Sequence, residues 1–356
     1  MNIAVIGGGI FGSVTSYFLQ NIGHDVTLFE KSDSILSGAS SKNQNRLHLG
    51  YHYPRDIETA LQSIKGFNEF KEHFSGACEF NFPCYYGLSS EESKSTHESY
   101  MNFLDQSNLK YEEIGLSELD QFGFNSTTVS SIWRCNEGVV DNEILKDLIH
   151  QKLLKSGVQI SLSDQVSEIL RNFNRWLVSS TKQSILFDVV ITATYGLDEI
   201  KTPDITRNTL NSFLQATLVI ECELPTEKFG LTVVDGDFIT VLPKGFTDKF
   251  LIYSPGPSVM KESLSIEEVN MAINDQGLIS KHVDQLKERF EFYFPKIEWT
   301  GNEKNLITIR NLELETMGTD RRVSKIELVA PRFFNIRSGK IDHSTLIAKE
   351  FCKLLT

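Results

Sequence analysis

Residues Asn2 to Lys31 read NIAVIGGGIFGSVTSYFLQNIGHDVTLFEK, and this stretch restricts the fold more than any other part of the 356-residue chain. Ile3, Val5 and Ile6 form a short apolar β run. Gly7-x-Gly9-x-x-Gly12 then opens a helix with Val14, Tyr17, Phe18 and Leu19 on its apolar side, Ser16 being small where the helix passes close to the sheet. A second strand, DVTLFE, ends in Glu30. Each part has a mechanical reason. Gly7 permits the turn, Gly9 lets backbone approach a pyrophosphate, and the first helical amides face its charge. Glu30 stands at the separation from Gly12 suited to ribose hydroxyls. The unit predicts a dinucleotide site.

The rest of the chain bounds the possibilities. With 40% apolar and 23% charged residues it reads as globular and large enough for two domains. A formal charge of -12 disfavours nucleic acid and anionic membranes as partners and leaves small molecules. Five cysteines, scattered and without a C-x-x-C pair, suggest neither a disulfide framework nor a metal site, and fit buried thiols in the cytoplasm. The opening stretch reads as a strand running into a glycine turn, where a signal peptide would show a basic region and an apolar run, and no run is long enough to suggest a helix spanning a bilayer.

After Glu30 a simple NAD domain would continue with strand–helix repeats. Instead a polar loop follows, KSDSILSGASSKNQNRLHLGYHYPRD, whose end crowds Arg46, His48, Tyr51, His52, Tyr53 and Arg55 beside amides and glycines. On these residues the chain resembles the FAD-dependent oxidoreductase family that includes D-amino-acid oxidase, glycine oxidase and sarcosine oxidase. Within it, the loop is similar to that of L-2-hydroxyglutarate dehydrogenases and oxidases, approximately N-S-G-x-I-H-x-G-x-Y-Y. Asn43, Leu47, His48, Gly50 and Tyr53 match, whereas Gln44, Asn45 and His52 depart from it.

The resemblance implies an α/β chain with a discontinuous Rossmann-like FAD-binding domain (residues 1–77, 135–205 and 321–356) and an α+β substrate domain with an antiparallel sheet (78–134 and 206–320). It implies FAD held by Gly7, Gly9, Ile10, Phe11 and Gly12, by Glu30 and Lys31, and by the loop residues Ser40, Ser41, Asn43, Asn45, Arg46, Leu47 and His48. The helix expected over Ile144 to Leu154, ended by Gly157, leads into strands, the last closing on Ala193-Thr194-Tyr195-Gly196. By the same resemblance that turn passes beneath the pyrophosphate and Val166 flanks the adenine. The C-terminal run RFFNIRSGKIDHSTLIAKEFCKLL reads as a strand, a turn and a helix with Leu346, Ile347, Phe351, Leu354 and Leu355 inward. Gly339, Lys340, Ile341 and Asp342 would supply amides, and the helix dipole charge stabilisation, where a reduced flavin becomes negative.

Between these pieces, residues 211–225, 229–245, 249–256 and 306–318 are rich in β-branched and aromatic residues, as in an antiparallel sheet. One or two helices stopped by Pro295 lie among them. A further solvated helix is expected with Tyr100, Phe103 and Leu104 inside.

Oxidising a C–H bond beside an amine or hydroxyl of a small polar substrate by hydride transfer to flavin needs a held substrate and a proton acceptor. His48 and His52 are the candidate acceptors. For a substrate carboxylate, Arg46, Arg310, Arg321 and Arg322 with Tyr51, Tyr53 and Tyr253 are candidate donors. Oxygen or another electron acceptor completes the cycle. A flavin monooxygenase, a non-redox flavoenzyme acting on a sugar, and an FAD-retaining binding protein remain alternatives.

Overall fold

The computed structural model describes residues 1–91, 93–197, 199–205, 212–235, 238–314 and 321–356. Parts of the expected strand runs, at 211, 236–237 and 315–318, lie outside these, as do the expected domain boundaries at 206 and 320.

In the strand Asn2–Ile6, Ile3 to Ile6 are all buried, because the strand is covered on both faces. It lies inside a six-stranded sheet in the order 325–330, 333–337, 189–192, 2–6, 25–29, 159–161. Every pairing is parallel except the edge pair Lys325–Ala330 with Phe333–Arg337. Of the first strand's two neighbours, Asp25–Phe29 follows it in the same N-terminal unit, whereas Val189–Thr192 comes from a distant segment. A ligand crevice belongs at the carboxyl ends of such strands.

One face of this sheet carries the helices Ile10–Asn21, Asn142–Ser156 and Ser344–Leu355, which bury Val14, Leu19, Leu145, Ile149, Leu153, Ile347 and Phe351. The inward stripe is narrower than the apolar composition suggests: Ile144, Leu154 and Leu354 are exposed. Asp141 caps the second of these helices by accepting from the amides of Glu143 and Ile144, and Gly157, at φ +86°, ends it. The opposite face carries a three-stranded antiparallel sheet, Val166–Asn172, Arg175–Ser180 and Ser184–Phe187, whose Ile169, Trp176 and Val178 pack against Ala4, Ile6 and Val190.

The helix Ile57–Phe74, absent from the sequence reading, is capped by Asp56, which accepts from Thr59 N at 2.9 Å. It buries Phe67, Phe70 and Phe74. Gly66 lets it reach the C-terminal segment, since a Cβ there would stand 2.9 Å from the His343 ring.

A second, nine-stranded sheet runs 259–263, 212–223, 249–253, 240–243, 230–234, 84–89, 129–135, 111–114, with 304–313 also paired to 212–223. It is not wholly antiparallel. Gly230–Val234 and Cys84–Ser89, both continuous buried runs, pair in parallel. The helices Ile266–Asn274 and Gln276–Tyr293 cover it, and His97–Gln106 buries Tyr100, Phe103 and Leu104. All five cysteines are free thiols. No helix among the described residues is long and apolar enough to cross a membrane.

Candidate active site

A cleft of about 1000 Å³ opens over the glycine turn and is lined from both large sheets. Its floor is built by steric necessity. Gly7 has φ +108°, and a side chain there would stand 2.6 Å from the Ala193 carbonyl oxygen. Gly12 does not line the cleft; it packs against the carbonyl of Gly7, bringing helix and turn together. Gly9 differs, because a Cβ there would meet only Ser40 Oγ at 3.4 Å, leaving its backbone open to the cleft. Gly9 also begins the helix without a side-chain cap, and the Ile10 amide donates to Ser40 Oγ at 3.0 Å.

Glu30 lies on the same wall. Its carboxylate accepts from the amides of Gly8 at 2.6 Å and Ser32 at 2.8 Å, which fixes its orientation. Lys31, Asp164, Gln165 and Val166 extend that wall, and Ala193, Thr194 and Tyr195 border the turn. Tyr195 and Gly196 both have positive φ, and Asn311 Nδ2 donates to Tyr195 O at 2.9 Å. Gly196 packs against Asn311 and is not part of the lining.

Loop 40–53 supplies the facing polar groups. Asn43 Oδ1 accepts from the Asn45 amide at 2.6 Å and supports Asn45 at φ +53°. Arg46–Leu47 then pairs with Gly138–Val140, and the strand alternation sends Arg46 to the cleft and Leu47 into the core. Leu47 and Ser41 therefore do not line the cleft, contrary to expectation for the loop as a whole; Ser41 instead closes a turn onto Gly38. Arg46 is buried and held by Tyr86, Thr232 and Glu137, the last at 3.0 Å. Glu137 also accepts from Tyr86 at 2.7 Å and from the Leu49 amide at 2.7 Å. Burial alone would lower the arginine's pKa, but Tyr86 and Glu137 outweigh it and the charge is secured.

Beside it, His48 and His52 lie with ring centroids 6.3 Å apart, and Tyr53 is 5.8 Å from His48. The Nδ1 atoms of both histidines, the Tyr53 hydroxyl and Gln44 Nε2 are buried without a protein partner. Burial, then Lys340 and Arg46, hold His48 well below the usual imidazole range; burial, then Arg46 and Lys340, do the same for His52. Both rings are neutral at pH 7. Burial raises the Tyr53 phenol, which therefore also stays neutral.

The remaining cations arrive from other segments. Arg310 Nη1 donates to the Tyr253 hydroxyl at 2.9 Å and lies over its ring, 4.7 Å from the centroid. Arg322 lines the cleft, whereas Arg321 points outward and pairs with Glu58 at 2.8 Å. Tyr51 is not a cleft residue either; it stacks on Tyr86 and donates to the Lys110 carbonyl. Lys340 stands over the Tyr53 ring at 5.0 Å, and burial, with Arg322 and Arg310 nearby, brings its ammonium down to about 7.

Gly339 and Ile341 line the cleft, but the Gly339 amide donates to Ser324 Oγ at 2.7 Å. A 3-10 turn, Ile341–His343, separates the Lys340 region from the helix, which begins at Ser344, so the helix end is not presented directly. Asp342 is fully buried off the cleft, its carboxyl without a side-chain partner, and burial raises it well above the carboxylate range.

The sequence reading missed Glu137, Tyr86 and Thr232, which hold Arg46, and the rim pair Arg55–Asp235 at 3.2 Å. It also missed Phe238, edge-on to His52 at 5.2 Å. Glu137 lies in NEGVVD between Asn136 and, four residues on, Asp141, and no local pattern marked it.

A glycine turn and a pinned acid on one wall, with neutral imidazoles and guanidinium groups on the other, are the features of a dinucleotide-dependent enzyme. The family described as FAD dependent oxidoreductase matches residues 2–307, and the chain belongs to it. It is an enzyme, and FAD is its cofactor. The chain is 27% identical over 356 residues to the FAD-dependent monooxygenase FPY4 of Fusarium mangiferae, covering 96% of this chain and 87% of that protein. It is 25% identical over 256 residues to the FAD-dependent monooxygenase kojA of Aspergillus flavus, covering 68% and 58% of the two chains. The fold is like that of glycine oxidase from Geobacillus kaustophilus, with a TM-score of 0.73, 14% identity, and 99% and 94% coverage. It is also like NikD, described as an unusual amino acid oxidase essential for nikkomycin biosynthesis, with a TM-score of 0.75, 12% identity, and 98% and 91% coverage.

The cleft fits FAD. Gly9 leaves a backbone cradle that a side chain would fill, Glu30 is pinned on the wall, and unpartnered polar atoms wait at Gln44, His48, His52 and Tyr53.

Proposed function

We propose that the enzyme oxidises a C–H bond next to an amine or hydroxyl of a small polar substrate, passing a hydride to FAD, with oxygen or another electron acceptor closing the cycle. Residues 1–77, 135–205 and 321–356 would form the FAD-binding domain, with 78–134 and 206–320 covering the substrate. Gly7, Gly9, Ile10 and Phe11 would hold the pyrophosphate, Glu30 and Lys31 the ribose, and Val166 the adenine. Ser40, Asn43, Asn45, Ala193, Thr194, Tyr195, Gly339, Lys340 and Ile341 would complete the cradle. Bound FAD supplies the planar two-electron acceptor.

The observation that carries this reading is the convergence, in one cleft, of two neutral imidazoles with unpartnered nitrogens and the Arg310–Tyr253 pair. A neutral imidazole of His48 or His52 can take the heteroatom proton at physiological pH. Arg310, with Tyr253 and Arg322, can orient a carboxylate by directed N–H donors. Arg46, locked by Glu137, Tyr86 and Thr232, fixes the loop that carries the histidines and adds positive potential without moving.

The names of two relatives favour a second reading, monooxygenation. Anaerobic mixing of the purified holoenzyme separates the two. Bleaching of the yellow colour by 2-amino or 2-hydroxy acids without a nicotinamide cofactor supports the proposal. Bleaching only by NADH or NADPH overturns it in favour of the monooxygenase, and inertness to every reductant favours a protein that retains FAD without turnover.

A further inference from the structure

We infer that Asp235 is a specificity-determining residue: it receives a hydroxyl group that the substrate carries away from the carbon to be oxidised. This rests on the oxidation reading above and concerns the far side of the same substrate.

The strands Gly230–Val234 and Thr240–Pro243 form a hairpin, closed by the Val233 amide donating to Ile239 O at 3.0 Å. Asp235 and Phe238 lie in its turn and, with Val234, line the cleft. The turn is fixed over the His52 end. The Lys94 amide donates to Asp235 O at 2.9 Å, the Ser254 hydroxyl donates to Phe238 O at 2.6 Å, and the Phe238 ring stands edge-on to His52.

Asp235 has φ +73°, a conformation that Asn or Gly would serve as well, so the turn itself does not call for an acid. What the acid adds is a carboxylate only 1% exposed. Arg55 reaches its Oδ1 at 3.2 Å, whereas Oδ2 is buried with no protein partner. A buried carboxylate oxygen without a donor is costly, and a ligand that brings the donor recovers that cost on binding. The Asp342 carboxyl also lacks a side-chain partner, but it lies off the cleft.

The donor is neutral. Arg55 already balances the charge of Asp235, and the fields of Arg46, Lys340 and Arg322 reach the neighbouring His52, so an ammonium would add a cation where cations already gather. A hydroxyl uses the spare lone pairs of Oδ2 without that repulsion.

The test is calorimetric binding to the oxidised, FAD-loaded protein with probes that differ in one group. One set is lactate, glycerate and isoserine, and the other is alanine, serine and 2,3-diaminopropionate, each with the four-carbon homologues that bear the same group at the chain end. In the set whose reacting group the enzyme accepts, the hydroxylated probe is expected to bind ~10–100-fold more tightly than its parent, as for a hydrogen bond to a charged group. It should also bind more tightly than the ammonium probe. Asp235→Ala should abolish the preference for the hydroxylated probe over its parent. Arg55→Met leaves the carboxylate in place and should narrow or invert the gap between hydroxyl and ammonium probes, so it reports even if Asp235→Ala fails to fold. Equal binding of parent and hydroxylated probes, tighter binding of the ammonium probe by the wild type, or a hydroxyl preference that survives Asp235→Ala overturns the inference and leaves the oxidation reading intact. If no probe binds and only NADH or NADPH bleaches the flavin, both fall.

Discussion

Acidification below pH 6.5 should destabilise this protein through His48, His52 and His343, against an opposing contribution from Asp342. His343 is fully buried between Ser63 and Ser324, and burial, with Lys340 nearby, brings its imidazole down to about 3. His48 is depressed by burial first and by Lys340 and Arg46 next, and His52 by burial first and by Arg46 and Lys340 next. In the unfolded chain all three protonate near 6.5. Between that value and the native one, the unfolded state binds more protons, so their stabilisation is complete above about pH 6.5 and is lost as pH falls. Asp342 has the reverse sign. Its native carboxyl keeps a proton that the unfolded chain releases, so its contribution grows as pH falls toward the ordinary carboxylate range.

Each group changes the unfolding free energy by ~1.4 kcal/mol per pH unit where only one state is protonated. Three histidines, opposed by Asp342 where its native carboxyl keeps its proton, leave a net loss of ~2.8 kcal/mol per unit approaching pH 5.5. His343→Gln should remove one loss and flatten the dependence, whereas Asp342→Asn should remove the gain and steepen the net loss to ~4.2 kcal/mol per unit. Urea unfolding of the holoenzyme at pH 6.5, 6.0 and 5.5, followed by circular dichroism and by flavin fluorescence, reads the difference between profiles. Exposed carboxylates affect all three proteins alike. Parallel profiles for the wild type and both variants would refute the reasoning.

Other outcomes are expected at the cleft. Gly9→Leu should yield colourless protein by filling the space beside Ser40 Oγ, and a yellow variant with full FAD content would place the pyrophosphate elsewhere. Glu30→Ala should weaken FAD retention by ~1–3 kcal/mol, measured by equilibrium dialysis; unchanged affinity would show that the acid serves only the Gly8 and Ser32 amides. His48→Ala or His52→Ala should slow anaerobic flavin reduction by ~10²–10⁴-fold with FAD content retained, and wild-type rates in both would make the loop purely structural. Glu137→Gln leaves the buried Arg46 charge uncompensated and should cost ~3–5 kcal/mol in urea unfolding, with Arg46→Met in the same chain recovering much of it; a cost near zero would mean that water reaches the pair.

What could be read in the sequence was what local physics specifies. The strand–turn–helix–strand–acid unit follows from apolar period, glycine spacing and one charge, and Gly7, Gly9 and Glu30 stand where that pattern puts them. Gly157 ends its helix for an equally local reason, its positive φ. The helix Ile57–Phe74 escaped notice because its buried face is interrupted by Gly66, and that small residue makes sense only once His343 is packed against it. Glu137 escaped because a buried acid has no pattern. Its partners Arg46 and Tyr86 are brought together by the pairing of two short strands and by the second sheet. The same nonlocality separates Arg322 from Arg321: adjacent and identical in sequence, one faces the cleft and the other pairs with Glu58. The loop's similarity to L-2-hydroxyglutarate dehydrogenases was finer than the comparisons support, which establish the broader family.

The cations and histidines of the cleft form one electrostatic unit, and this links binding to proton transfer. Arg46, Lys340 and Arg322 lower the proton affinity of His52, and Lys340 and Arg46 lower that of His48. An anion seated against Arg310 and Arg322 opposes that field, so it raises the proton affinity of both rings in the complex that must receive a proton. Without the anion, burial and the same field keep the rings neutral and their nitrogens available. The pH dependence of flavin reduction should therefore differ from that of substrate binding, the kinetic midpoint in the complex lying above that of the free enzyme. Arg322→Met should narrow this gap from one side by raising the histidines of the free enzyme, an effect that a residue serving only to orient the carboxylate would not produce.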